Sequence, residues 1–175
     1  MKINLVLFYF LANMIAVMEI QISIDKQELK VVDNKKIVKT YIISSSSYGE
    51  GSEEGSFKTP LGEHFIKKKI GDGVELGGRF EGRVFYGEIY PIYKKDEVYV
   101  DDDVVQTRIL WLSGLEEGKN KGKGVDSFER YIYIHGTPEE WLLGTKASKG
   151  CIRMSNKDVI ELFDIVEENT KVIIK

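Results

Sequence analysis

The residues best placed to do chemistry lie in the stretch Ala147-Ser148-Lys149-Gly150-Cys151-Ile152-Arg153, where Cys151 sits in a Ser- and Gly-bearing turn between two cations, Lys149 and Arg153. Upstream, separated from Cys151 by residues 136–150, His135 closes the run Tyr131-Ile132-Tyr133-Ile134 and is followed by Gly136. A thiol reacts as its thiolate, and neighbouring cations or an imidazole favour that form. A His–Cys pair is the minimum for nucleophilic acyl transfer. Gly150 allows the backbone to turn tightly beside the nucleophile and to aim N–H groups at a developing oxyanion. The same residues also fit a small buried cysteine in a turn and a histidine in the core, since free cysteine is often simply buried.

Counts narrow the chemistry further. The chain of 175 residues holds one Cys and two His. No internal disulfide can form, and a Cys-based structural zinc site needs four Cys or His ligands. Net charge is −3, which disfavours a generic nucleic-acid partner. Gly71-Asp72-Gly73 with Gly77 misses the dinucleotide spacing, because position 76 is Leu. Gly118 to Lys123 lacks the spacing and the Lys-Ser/Thr pair of a phosphate-binding loop. Asp101-Asp102-Asp103 lacks the Gly and the distal Glu of a calcium loop and reads as a solvated acidic turn. Lys67-Lys68-Lys69 and the lysines between 119 and 123 read as solvated faces. His64, in a predicted strand, reads as a structural or surface residue.

The elements that must position His135 and Cys151 are mostly strands. Ile20, Ile22 and Ile24 alternate with polar residues, which predicts a half-buried strand. Strands are also predicted at 29–32, 37–43, 64–70, 84–92, 98–100, 108–112 and 131–135, with Gly-rich punctuation between several of them. The segment from Ser44 to Thr59 reads as a loop, and Gly114–Asp126 as a candidate lid by composition. Near the C-terminus Val159, Leu162, Phe163 and Val166 follow helical spacing, with Ser155 and Asp158 as a capping pair. Residues 172–174 read as a closing strand. Ile3 to Met18 forms an apolar run broken only by Asn4 and Asn13 and preceded by Lys2, the layout of an export signal or an N-terminal anchor. The domain boundaries expected are therefore 1–18 for that segment and 19–175 for one catalytic domain.

The order His135-Gly136, a gap, then Ser148-x-Gly150-Cys151-Ile152-Arg153-Met154 resembles the signature of the L,D-transpeptidase catalytic domain, the YkuD family. Thr59-Pro60-Leu61-Gly62 is similar to the family's TPxG segment, and 156–172 to its terminal helix and strand. The motifs at 108–114 and 131–137 resemble a subfamily found in Gram-negative-type envelopes. A sortase would carry a wider His-to-Cys gap and a Thr before the Cys. A papain-like peptidase would place Cys before His.

The resemblance implies a mainly β fold, sandwich- or barrel-like, with a C-terminal helix packed on the sheet. It implies peptidoglycan chemistry: Cys attack on the diaminopimelate–D-Ala bond of a tetrapeptide stem, a thioester, and resolution by an amine to give a 3→3 cross-link or an attached protein. Cys151 is then the nucleophile, His135 the general base and the Gly136 carbonyl its orienting group. The amides of Gly150 and Cys151 line the oxyanion hole, Ser148 and Lys149 serve substrate binding, and Arg153 supports the loop or binds a substrate carboxylate. Most relatives carry His where this chain has Lys149. No cofactor and no metal are implied. The implied partners are stem peptides and an envelope lipoprotein acceptor, not nucleic acid, with membrane contact only through residues 1–18 if they are uncleaved. The implied location is the periplasm or cell envelope. An L,D-carboxypeptidase would use the same residues, and a non-catalytic wall-binding domain would keep the fold alone.

Overall fold

The computed structural model describes residues 18–100 and 103–175. Residues 1–18, expected to be an export signal or anchor, lie outside the described residues except for Met18, which already belongs to the first strand. The strands are β1 (Met18–Ser23), β2 (Glu28–Asp33), β3 (Lys36–Ser44), β4 (Gly62–Ile70), β5 (Gly78–Glu81), β6 (Val84–Ile89), β7 (Val105–Gly114), β8 (Tyr133–Gly136), β9 (Ile152–Met154) and β10 (Lys171–Ile174). A helix, α1 (Asn156–Ile165), joins the last two, and a short 3-10 turn covers Glu140–Leu142.

Strands run in the order β4-β10-β1-β2-β3-β9-β8-β7-β5-β6, and β4 pairs again with β7. That second pairing closes all but the β5–β6 hairpin into a barrel, which removes exposed edges. The alternating isoleucines of β1 point inward, with Ile20 and Ile22 fully buried beside Leu29 and Val31 of β2. The helix supplies Val159, Leu162 and Phe163 to the same core, and its apolar face packs on β7 and β8. Ser155 caps it by accepting the Asp158 amide at 3.1 Å, which satisfies one of the otherwise orphaned first-turn donors.

A smaller cluster of Phe80, Ile109, Trp111 and Tyr133 lies on the opposite face of β7 and β8, and Cys151 packs against it. Two covered faces explain why β7 shows no alternation: nine of its ten residues are buried. In β8 the faces separate cleanly. Ile134, like Ile132 just before the strand, enters the barrel core, while Tyr133 and His135, two residues apart, share the other face.

Three expectations need correction. The segment 98–100 is not a strand, because its polar groups find partners elsewhere: the Val98 carbonyl accepts from Trp141 Nε1 at 3.1 Å, and the Val100 amide donates to Glu139 Oε1 at 3.0 Å. Strands β5 and β9 have only four and three residues and too little pattern to be read in advance. The stretch read as a lid is stapled to β4: fully buried Asn120 donates to the carbonyls of Leu61 and Glu63 at 3.0 and 3.1 Å. Next to it, the His64 imidazole meets Ser127 Oγ at 2.9 Å.

Candidate active site

Two parallel strands bring the separated motifs together. β8 pairs with β9 in the register Ile134↔Ile152, His135↔Arg153, Gly136↔Met154. Cys151 stands immediately before β9, so its side chain arrives alongside Tyr133. The Tyr133 amide donates to Cys151 Sγ at 3.3 Å, and the thiol donates to the Tyr131 carbonyl at 3.3 Å. Because Tyr133 and His135 share a face of β8, thiol and imidazole belong to the same side of the sheet. Tyr131 itself takes a left-handed conformation, φ +57, so β8 begins at Tyr133, two residues later than the apolar run suggests.

His135 is fully buried. Its Nδ1 lies 2.8 Å from the Gly136 carbonyl oxygen. A carbonyl can only accept, so Nδ1 carries the proton and Nε2 presents a lone pair. Nε2 is buried and meets no hydrogen-bond partner. An orphaned polar atom is costly, and such atoms persist where function needs them. Burial pushes the imidazole below its usual value, although Asp103 and the Gly136 carbonyl pull the other way. The ring is therefore neutral at pH 7.

Cys151 is partly exposed as a residue, yet its thiol is enclosed. Burial, then the nearby Asp103 carboxylate, push it up to about 12, and this outweighs the Tyr133 amide and the guanidinium groups of Arg153 and Arg130. The resting pair is thus a neutral thiol and a neutral imidazole.

The turn before Cys151 is built by small residues. Gly150 has φ +123, a conformation that excludes side chains. Its carbonyl accepts from Thr59 Oγ1 at 3.0 Å, so the TPLG segment holds the Cys151 loop directly. Ser148 is fully buried. Its hydroxyl donates to the Cys151 carbonyl at 2.6 Å and accepts from the Gly150 amide at 3.3 Å. It braces the loop and offers no surface to a substrate, contrary to the binding role expected. The Gly150 amide is likewise engaged, although at 3.3 Å the bond is long.

Arg153 is turned inward as well. It is 4% exposed and bridges Asp103 and Glu139, the latter at 2.8 Å. Its guanidinium is committed to protein carboxylates rather than presented to a ligand. Asp103, read as part of a solvated turn, is partly buried; burial raises its carboxyl, but Arg153 and then His135 more than compensate and keep it ionised. Lys149 is exposed and lines two cavities. The first, about 350 Å³, also holds Asp103, Glu139, Lys146 and Tyr99. The second, about 300 Å³, is lined by Phe57, Arg130, Tyr131 and Ile132.

Sequence reasoning missed Asp103, Glu139, Arg130 and Asn156. Arg130 donates to the carbonyls of Gly51 and Lys58 at 3.3 and 2.7 Å, pinning the loop that flanks Gly150. None of the four belongs to a motif with an intrinsic chemical signature, and only the fold makes them neighbours of the site. Among the described residues, no group of three or more His, Cys, Asp or Glu is arranged to hold a metal ion.

Comparison with known proteins bears on the family and the fold. The family model described as the L,D-transpeptidase catalytic domain, YkuD, matches residues 18–174. The Bacillus subtilis protein bearing the name L,D-transpeptidase YkuD is 58% identical over 46 residues, 26% of this chain and 28% of that protein. Its Bacillus licheniformis counterpart is 51% identical over 46 residues, with the same coverage of each chain. The matched stretch therefore spans less than a third of the curated relatives' length. Among solved structures, L,D-transpeptidase 3 from Mycobacterium tuberculosis with a faropenem-derived adduct superposes with a TM-score of 0.56 at 16% identity, covering 91% of this chain and 60% of that one. The L,D-transpeptidase of Xylanimonas cellulosilytica gives 0.52 at 19% identity, covering 91% and 61%. At such identities the superpositions speak for the fold, while the family model spans nearly the whole described chain: the protein belongs to the YkuD family of L,D-transpeptidase catalytic domains.

Proposed function

We propose that the protein is a peptidoglycan L,D-transpeptidase that works through a thioester on Cys151. The observation that carries the reading is the state of His135. Its Nδ1–H is tied to the Gly136 carbonyl at 2.8 Å, and its Nε2 is left buried and unpartnered on the face that Cys151 occupies. This is the tautomer a general base needs, with a backbone carbonyl doing what a carboxylate does in other triads.

In the reaction, Nε2 takes the thiol proton as Sγ attacks the carbonyl carbon between diaminopimelate and D-Ala. The carbonyl oxygen becomes an oxyanion, stabilised by the amides of Gly150 and Cys151. The Gly150 amide gives up its long bond to Ser148 Oγ for this purpose. As the intermediate collapses, the imidazolium returns its proton to the departing D-Ala nitrogen, and the thioester remains. An acceptor amine then attacks the thioester, loses its proton to Nε2, and expels the thiol. A second stem's diaminopimelate gives a 3→3 cross-link, and a lipoprotein lysine gives an attached protein.

The two cavities that Lys149 lines offer space for stem peptides beside the Cys151 loop. Lys149 adds positive charge where relatives carry His, and it suits the carboxylates of stem peptides. The export segment at 1–18 and a location in the cell envelope fit a wall substrate. The Gram-negative-type subfamily is supported by the motifs at 108–114 and 131–137, while the curated relatives named above are Bacillus proteins.

The test is incubation of the purified chain with disaccharide-tetrapeptide, with and without an acceptor stem, read by mass spectrometry. Dimer that disappears in Cys151→Ala supports the transpeptidase. Tripeptide alone, even with acceptor present, replaces it with an L,D-carboxypeptidase. Neither product, with no thioester, leaves a wall-binding domain.

A further inference from the structure

The Gly136 carbonyl orients His135, so whatever fixes the Gly136–Thr137 segment fixes the base. That segment is held from below by a buried polar network whose centre is Asn156, the first residue of α1. Asn156 is fully buried. Its Nδ2 donates to the Thr137 carbonyl at 2.8 Å and to Glu140 Oε1 at 3.1 Å. A third, longer contact runs from Nδ2 to Gln106 Oε1 at 3.3 Å. Its Oδ1 accepts from the hydroxyl of Thr107, itself fully buried.

The contact with Gly136 is equally tight. A Cβ built on Gly136 would stand 2.4 Å from Asn156 Oδ1 and 2.9 Å from the Gln106 carbonyl. Glycine at this position is therefore required by Asn156 pressing on its Cα rather than by backbone conformation. Thr107 is held in turn. It has φ +69, and its Oγ1 accepts the Gly77 amide at 2.9 Å. Fully buried Gln106 reaches the carbonyls of Tyr90 and Gly77 at 3.0 and 3.3 Å. The chain of contacts thus runs from the loop before β5, through the bulge in β7, to the peptide behind the imidazole.

We infer that Asn156 is a positioning residue for catalysis, locking the Gly136–Thr137 backbone so that His135 keeps its Nδ1–H tautomer and aims Nε2 at the thiol. The inference rests on His135 being the base of the proposed reaction. A carboxamide suits the task because it donates to Thr137 and accepts from Thr107 at once. Loss of either contact would let the Gly136 carbonyl swing, and imidazole orientation is where a small displacement carries a large rate penalty.

The experiment compares wild type, His135→Ala, Asn156→Ala, Thr107→Ala and Thr107→Ser. Three readouts are taken on each folded protein: the rate of Cys151 alkylation by iodoacetamide at neutral pH, kcat and KM on the tetrapeptide, and the ¹⁵N signals of the His135 ring. We expect Asn156→Ala to lower kcat by about ten- to a hundredfold with KM little changed. We expect its His135 Nδ1–H signal to broaden or move toward the other tautomer. Thr107→Ala should act in the same direction more weakly, and Thr107→Ser, which keeps the hydroxyl, should recover. A folded Asn156→Ala with unchanged ring signals and unchanged kcat overturns the inference. If Asn156→Ala does not fold, Thr107→Ala decides: ring signals and kcat equal to wild type overturn it. If His135→Ala alkylates as fast as wild type, the assignment of the base itself fails, an outcome distinct from failure at Asn156 alone, and the inference falls with it.

Discussion

The protonation state of the resting site gives the sharpest quantitative prediction. Burial and the Asp103 charge push the Cys151 thiol from an ordinary value of 9.0 up to about 12. Three decades of acidity correspond to roughly 4 kcal/mol set against the isolated thiolate. At pH 7 only about one molecule in 10⁵ would then carry a thiolate. Burial meanwhile keeps His135 below its usual value, so the ring does not hold the compensating proton. The resting site therefore holds no thiolate–imidazolium ion pair, and in the proposed reaction the thiol ionises only as it attacks. The assay is the ultraviolet thiolate band of wild type minus Cys151→Ser, followed from acid to alkaline pH. The band should be absent at neutral pH and should emerge only well into the alkaline range. A full thiolate band at pH 7 that disappears in a single acid step would refute the reasoning, because it would show a preformed ion pair. The same protonation picture places the acid limb of turnover below pH 6.5, as His135 gains its proton late.

Other perturbations follow from the local geometry. Gly150→Ala has room for its methyl, whose nearest neighbour would be the Lys58 carbonyl at 3.4 Å, yet φ is +123. We expect a loss of roughly 1–3 kcal/mol in unfolding free energy by urea titration, together with a larger fall in kcat, since the strain sits beside the nucleophile. Arg153→Gln strands the carboxylates of Asp103 and Glu139, and should cost roughly 3–5 kcal/mol in the same titration; a change below 1 kcal/mol would show that the pair is relieved by solvent. For His64, burial lowers the imidazole to about 4. Its folded value lies below its unfolded one, so its contribution is complete above about pH 6.5 and is lost as the pH falls toward 4. Stability measured at pH 7 and pH 4 should differ by roughly 3 kcal/mol from this residue, and His64→Gln should flatten that difference.

What could be read from residues alone divides along physical lines. Strong periodicity survives translation into structure: the isoleucines of β1, the helical spacing of Val159, Leu162 and Phe163, and the Ser155 cap all stand where their pattern puts them. The nucleophile loop was legible because few residue types satisfy its demands, above all glycine at a positive φ beside a cysteine. Pairing order was not legible, because β8 and β9 are brief and joined in parallel across a long connection, which no local signal encodes. Charge was the least faithful guide. Asp103 and Arg153 look like surface residues, yet Arg153 is buried and Asp103 partly so, each held by the opposite charge of the other. Ser148, a polar residue in a Gly-rich turn, is consumed by the loop it stabilises. Asn156 looked like the opening residue of a helix, and only the approach of Gly136 reveals what its side chain holds.

The central claim is that Cys151 becomes an acyl-enzyme, and intact-mass spectrometry addresses it directly. Wild-type protein mixed with disaccharide-tetrapeptide in the absence of acceptor, then quenched in acid, should gain the mass of the donor acyl group, which is the substrate less D-Ala. Peptide mapping should place the adduct on Cys151, and Cys151→Ala should show none. An unmodified protein under conditions where D-Ala is released, or an adduct on any other residue, would contradict the account.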